Sequence, residues 1–139
     1  MEANERFLVD TNIWLERLLD QEKSDVVQRF LKKVPLSFMY VSDFSMHSIG
    51  VILTRLNKLS IYEKFTEDLF LNGQIKQLSL EPDDVSKLIL NIKKNNLDFD
   101  DAYQVTVSEK FNLTVITFDK DFNVKNIRSK SPEKIIHSK

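Results

Sequence analysis

The stretch FLVDTNIW, residues 7–14, predicts a short buried strand that ends in a carboxylate and leads into a helix. Its first three residues form an apolar run that is too short for a helix, and such a run fits a strand covered on both faces. Asp10 follows directly, and a helix is expected from about residue 12 to residue 19. Asp10 is then either a polar turn residue or a charged group directed at a ligand.

A single domain is expected to account for the whole chain, residues 1–139. The sequence is 42% apolar and contains ten phenylalanines, which can fill one core of ordinary size. It has no run of about eighteen apolar residues and no basic-then-apolar leader, so we expect a soluble, cytoplasmic protein without membrane attachment. The absence of cysteine excludes disulfide bonds, zinc–thiolate sites and thiol nucleophiles.

The net charge of −1 argues against a simple basic coat for nucleic acid, but the charge is unevenly distributed. Residues 119–139 are net positive. Their basic side chains are Lys120, Lys125, Arg128, Lys130, Lys134 and Lys139. This segment is either a solvated surface or a region that attracts phosphate beside an acidic site.

Four apolar or β-branched runs, separated by helical patterns, predict a parallel sheet. They lie at residues 7–9, 38–41, 75–80 and 114–118. Ser24 and Ser42 are placed to cap the helices that follow them, and Gly73 to end a helix in the left-handed conformation. Since parallel strands joined by helices require right-handed crossovers, we expect a three-layer α/β/α domain around a central parallel sheet.

Two further motifs, LDFDDAYQ at residues 97–104 and VITFDKDF at residues 115–122, each carry acidic residues at the edge of a predicted helix or strand. Asp119 ends the last clear strand as Asp10 ends the first, so both are expected to open onto one crevice at the carboxyl edge of the sheet. Asp101 falls in the first turn of a predicted helix. Taken singly, Asp101 and Asp119 are each explained as caps.

Three acids gathered at one sheet edge indicate a divalent cation. Neighbouring carboxylates raise one another's pKa unless a cation offsets their charge. Mg²⁺ and Mn²⁺ are hard ions that suit oxygen ligands, and Mg²⁺ also takes phosphate oxygens from substrates. The pattern therefore indicates metal-dependent phosphate chemistry, in which an activated water attacks a phosphodiester.

In this order, FLVDTNIW, the DDA of LDFDDAYQ and TFDKDF resemble the motifs of PIN-domain ribonucleases, including the VapC-like toxins of toxin–antitoxin pairs. The resemblance implies a five-stranded parallel sheet, Mg²⁺ or Mn²⁺ dependence, hydrolysis of single-stranded RNA, a small antitoxin partner and a homodimer. By position, Asp10, Asp101 and Asp119 correspond to the catalytic and metal-binding acids. Asn12 corresponds to the residue that orients the first acid, and Thr117 to a supporting hydroxyl.

One position departs from the family pattern. The family usually places a glutamate on the helix after the second strand, where this chain has Ser48, and a serine cannot supply that charge. Asp121 is either an auxiliary ligand or a cap. The candidates to compensate for the missing glutamate are the carboxylates of Asp43, Asp98 and Asp100, and the imidazole of His47 is either a further ligand or a surface side chain.

Three other interpretations compete with a nuclease. The first is a PIN-like module without catalysis that binds RNA or a protein, which the missing glutamate favours. The second is an aspartyl-phosphate hydrolase of the haloacid dehalogenase type, which also carries an acid at the tip of the first strand. That class needs a second acid two residues later, where Asn12 stands. A receiver-type phosphoacceptor lacks its paired acid.

Overall fold

A five-stranded parallel sheet forms the centre of the molecule in the computed structural model, which describes residues 3–123 and 126–138. The strands are β1 (Phe7–Val9), β2 (Met39–Ser42), β3 (Lys76–Leu78), β4 (Thr114–Ile116) and β5 (Ser129–Lys130). They lie in the order β3-β2-β1-β4-β5, and every neighbouring pair is parallel. The predicted parallel α/β sheet is confirmed.

Within the described residues, seven α-helices connect and cover the strands. They are α1 (Thr11–Leu18), α2 (Ser24–Lys33), α3 (Asp43–Arg55), α4 (Leu59–Thr66), α5 (Val85–Asn95), α6 (Phe99–Lys110) and α7 (Pro132–Ile136). The helix α4 continues directly into a π-helical turn over residues 67–71. No helix within the described ranges is both long and apolar enough to cross a lipid bilayer.

The core divides into two layers because successive residues of a strand point to opposite faces. On one face, Phe7 and Val9 pack in a cluster with Trp14 and Phe30. On the other face, Leu8 packs with residues of α6 and of the segment before β4. All three residues of β1 are fully buried, so the first strand is covered on both sides as its sequence predicts.

Local details agree with the sequence at one cap and differ from it at two other positions. The Ser42 hydroxyl accepts a hydrogen bond of 3.0 Å from the Ser45 amide and caps α3, as expected. The prediction for Ser24 is wrong, since Ser24 lies inside α2 and accepts from the Arg17 guanidinium at 3.1 Å. The prediction for Gly73 is also wrong, because its φ is not positive. A Cβ at Gly73 would instead lie 2.5 Å from the Leu69 carbonyl oxygen, so close backbone approach requires glycine there.

Candidate metal centre

The carboxyl edge of the sheet collects acids from three distant segments. Asp10 directly follows β1, and Asp119 lies just beyond β4, the parallel neighbour of β1. Asp101 is in the first turn of α6. All three line one cavity of about 300 Å³. The convergence expected from the sequence is therefore present in the fold.

The tightest group of acids is Asp101, Asp119 and Asp121, whose carboxylate oxygens lie within 4.8 Å of one another. Among residues 3–123 and 126–138, no other group of three His, Asp or Glu side chains converges in this way. Asp10 does not belong to the group of Asp101, Asp119 and Asp121. The Asp119 carboxylate also accepts a 2.8 Å hydrogen bond from the Asp121 amide, so Asp119 caps the turn that carries Asp121.

Asp10 lies beside this group and is held from three directions. One carboxylate oxygen, Oδ1, accepts from the Thr11 amide at 2.8 Å and from Gln104 Nε2 at 2.9 Å. The other, Oδ2, accepts from the Thr117 hydroxyl at 2.8 Å. The residue is only 7% exposed, and these bonds fix the orientation of its side chain.

The Thr117 hydroxyl connects several parts of the site. It donates its proton to Asp10 and accepts from Asn12 Nδ2 at 3.2 Å and from the Asp119 amide at 3.0 Å. A hydroxyl can donate one hydrogen bond and accept two, so the hydrogen-bonding capacity of the Thr117 hydroxyl is filled. Asn12 also accepts from the Phe118 amide at 3.3 Å. Asn12 thus acts on Asp10 through Thr117.

Gln104 is the site residue that the sequence analysis did not identify. Its side chain is 1% exposed, and Nε2 donates both to Asp10 and to the Ser45 hydroxyl, the latter at 2.8 Å. Ser45 in turn accepts from the Thr11 hydroxyl at 2.8 Å. The available signal was spacing, since Gln104 follows Asp101 by three residues and therefore lies on a neighbouring part of the same helical face.

Asp10 and Asp101 both have a raised pKa and therefore resist ionisation. Burial raises the pKa of Asp10 above 3.8, and the charge of Asp119 adds to this, while the hydrogen bonds from Gln104, Thr117 and Thr11 oppose it. Burial is also the largest cause at Asp101, and the charges of Asp119 and Asp10 follow, raising its pKa to about 7. A positive ion at this position would relieve both effects.

The donors present fit a hard divalent cation. Asp101, Asp119 and Asp121 offer converging carboxylate oxygens, which are the ligands that Mg²⁺ and Mn²⁺ take in proteins. Asp10 has little capacity left, because a carboxylate has about four acceptor positions and three hydrogen bonds already reach it. The site therefore supplies three accessible acids and one that is largely engaged by the protein.

The remaining candidates are divided between the cavity and its surroundings. Ser48 and Asp100 line the acid cavity. Asp98 is exposed, but its charge contributes to the raised pKa of Asp101. Asp43 and His47 line a neighbouring open cleft, where Asp43 accepts a 2.8 Å hydrogen bond from the hydroxyl of Tyr103.

The fold and the site together define a three-layer α/β/α protein with a carboxylate centre at the carboxyl edge of its sheet. The chain belongs to the PIN-domain family, whose model matches residues 7–127. This assignment replaces the haloacid dehalogenase and receiver interpretations. Among curated protein sequences, none matches the chain.

Solved structures share the fold at low sequence identity. A chain of a toxin–antitoxin complex from Klebsiella pneumoniae is 14% identical with a TM-score of 0.74, over 92% of this chain and 98% of that one. VapC20 from Mycobacterium tuberculosis, a toxin that cleaves the sarcin-ricin loop, is 16% identical with a TM-score of 0.70, over 84% and 92%. A chain of FitAcB from Neisseria gonorrhoeae is 20% identical with a TM-score of 0.69, over 91% and 98%.

Proposed function

We propose that the protein is an Mg²⁺- or Mn²⁺-dependent endoribonuclease that hydrolyses single-stranded RNA and acts as the toxin of a type II toxin–antitoxin pair. The observation that carries this proposal is the set of acids from β1, α6 and the turn after β4 around one cavity in a PIN-domain chain. Asp10, Asp101 and Asp119 are its catalytic acids, and Asp101, Asp119 and Asp121 are the ligands best placed to hold the cation.

Each part of the site has a defined task in this proposal. When bound, the divalent cation supplies positive charge that activates water and offsets the negative charge developing on the phosphate oxygens. Asp101, Asp119 and Asp121 are the residues that would hold the cation there. Thr117 and Gln104 keep the Asp10 carboxylate in one orientation, and Asn12 fixes Thr117. This preorganisation means that little rearrangement is needed when substrate arrives.

The toxin role is supported by the structural relatives. The Klebsiella pneumoniae chain comes from a toxin–antitoxin complex, and VapC20 is a toxin that cleaves the sarcin-ricin loop. On this basis we assign to the protein a small antitoxin partner, together with the homodimer and cytoplasmic location expected for a VapC-like toxin. We also propose that residues 1–139 form a single PIN domain.

The test is cleavage of a labelled single-stranded RNA by wild type and by Asp101→Asn. The variant should lose Mn²⁺-dependent cleavage while keeping its circular-dichroism spectrum, because the change removes a ligand charge without altering side-chain size. Asp83→Asn, the same substitution at an exposed acid preceding α5, is the matched control and should cut normally. Equal activity of Asp101→Asn and wild type would refute the catalytic role.

A second candidate is a PIN-like module that binds RNA or protein without cutting. Ser48 favours it, because it lines the acid cavity at the position where the family usually has a glutamate. Isothermal titration with Mn²⁺ separates the two functions. Binding that is lost in Asp101→Asn supports the nuclease, whereas no binding at millimolar Mn²⁺ leaves only the module.

A further inference from the structure

A second cavity, lined by lysines, adjoins the acid cavity. It has a volume of about 420 Å³ and shares Asp119 with the acid cavity. Lys23, Lys120 and Lys134 line it, and we call these three residues the lysine pocket. They come from three separate segments: the start of α2, the turn after β4, and α7.

The positive charge of this pocket is largely uncompensated. Within the part of the chain that the structure describes, none of its three lysines forms an ion pair. The Lys23 ammonium lies 4.5 Å from the centroid of the Phe118 ring instead. Lys130 also lines the cavity, but it pairs with Glu5 at 3.0 Å. Among the described residues that line the cavity, Glu133 and Asp119 are the acids, so cationic groups outnumber acids there.

A polyanion such as RNA can approach the acid cavity only if positive charge lies nearby. The acid cavity and its rim carry the carboxylates of Asp10, Asp98, Asp100, Asp101, Asp119 and Asp121. One divalent cation offsets only two of these charges, so an RNA strand that approaches the site alone meets net repulsion. Unpaired ammonium groups at the neighbouring opening supply the opposite potential, which attracts phosphate at this side of the acids.

We propose that the lysine pocket binds the backbone phosphates of single-stranded RNA next to the phosphodiester that lies at the acids. The substrate class rests on the proposed nuclease function. Lysine is a compact point charge on a flexible stem, suited to phosphates but not to bidentate recognition of bases. The pocket therefore contributes affinity and strand position, and sequence preference arises elsewhere.

The test measures RNA binding separately from cutting. Fluorescence anisotropy of a labelled single-stranded RNA is recorded with Asp101→Asn protein over a series of NaCl concentrations. Into this background we place Lys23→Gln, Lys120→Gln and Lys134→Gln together. The matched control combines Lys76→Gln, Lys87→Gln and Lys93→Gln, which remove the same charge from exposed positions on β3 and α5. The strand β3 is at the sheet edge opposite β5.

The pocket variant should bind RNA at least about tenfold more weakly near 0.1 M salt. The slope of log affinity against log salt should decrease by about 0.7 for each lysine, or about 2 for the three, as each phosphate contact on a single strand is lost. The control should keep the wild-type slope. Melting temperatures within about 2 °C of the parent would show that both triple variants are folded.

An unchanged slope in the pocket variant, or an equal loss in the control, would overturn the proposal and leave these lysines to another partner, such as an acidic protein segment. The two proposals fail separately. Lysine-dependent RNA binding by a wild-type protein that never cuts would refute the nuclease and retain the pocket. An active nuclease whose KM for RNA is unaffected by the three pocket substitutions would refute the pocket alone.

Discussion

Gln104 donates a 2.9 Å hydrogen bond to Asp10 across 94 residues of chain, and it ties the middle of α6 to the end of β1. Both side chains are buried, which weakens the competition from water for this bond. It is the strongest influence that lowers the pKa of Asp10 against the larger opposing effect of burial. The charge of Asp10 thus depends on a neutral amide that is not itself expected to touch substrate.

Replacing Gln104 with methionine should raise the pKa of Asp10, because the main bond to its charged form is lost. Hydrogen bonds to charged groups contribute roughly 1.5–3 kcal/mol, so cleavage at pH 7 should fall about 10- to 100-fold. The acidic limb of the pH–rate profile should move to higher pH. Asn91→Leu is the control, since it removes a buried amide that bonds to Thr106 and Glu109 instead. A lower rate with an unmoved profile would count against this role.

Thr117→Val should disrupt the site by removing a hydroxyl that both donates to Asp10 and accepts from Asn12. Valine has nearly the same shape, so the expected loss of about 1–3 kcal/mol comes from unsatisfied polar groups. Chemical denaturation measures this loss, and an RNA cleavage assay should show a parallel fall in kcat. Thr117→Ser keeps the hydroxyl and should restore most of both. A serine variant as impaired as the valine variant would show that the methyl group matters instead.

The raised pKa of Asp101 should make the metal-free protein less stable at high pH. The unfolded chain has the ordinary pKa of 3.8, so between this value and about 7 the folded state binds the extra proton. The favourable contribution is complete below about pH 4 and is lost as the pH rises through 7. The Asp101→Asn variant does not lose this stability at high pH. Its free energy of unfolding at pH 8 should exceed that of wild type by about 1 kcal/mol after solvent screening, or roughly 2–5 °C in Tm.

Scanning calorimetry in EDTA at pH 5 and pH 8 checks that difference. Added Mn²⁺ should raise the Tm of wild type at pH 8, since the ion binds only the folded acids, and should raise that of Asp101→Asn much less. If the variant is no more stable than wild type at pH 8 in EDTA, then Asp101 does not carry the repulsion described above.

Ser48→Glu should return a carboxylate to the acid cavity that Ser48 lines. We expect Mn²⁺ to bind about tenfold more tightly and the metal-free Tm to fall, because a further negative charge joins Asp101 and Asp119. Isothermal titration and melting curves measure the two effects. The control is Ser48→Gln, in which the new side chain has the size of glutamate but no charge. It should change neither the affinity for Mn²⁺ nor the Tm. Tighter binding by the glutamine variant as well would point to shape and not to charge.

Much of the architecture follows from local pattern. A three-residue apolar run before Asp10 predicts a strand covered on both faces, and the β-branched run at residues 114–118 predicts a second strand. Once these strands are parallel, their carboxyl ends must share an edge, so the meeting of Asp10 with Asp119 follows from geometry. The Ser42 cap was also predictable, because its hydrogen bond involves only the next few residues of the chain.

The features that could not be predicted from the sequence depend on tertiary contacts. The spacing from Asp101 places Gln104 on a neighbouring part of the same helical face, but it does not indicate that Gln104 will reach Asp10. No local pattern indicates that Asn12 will act through Thr117. Ser24 carries a capping residue type, but its hydroxyl accepts from Arg17, a partner that only the packing of α1 against α2 supplies. Gly73 shows the same limit, since its constraint is the nearby Leu69 carbonyl and not its own φ.

The hydrogen bond between Thr117 and Asp10 joins residues 107 positions apart. A nascent chain that has left the ribosome only as far as α5 contains Asp10 but neither Asp101 nor Asp119. Such a chain has the first acid and no centre around it. On the proposed nuclease function, a nascent chain that does not yet contain Asp101 and Asp119 cannot cut RNA, so the ribosome that makes it is not exposed to nuclease activity from such a chain.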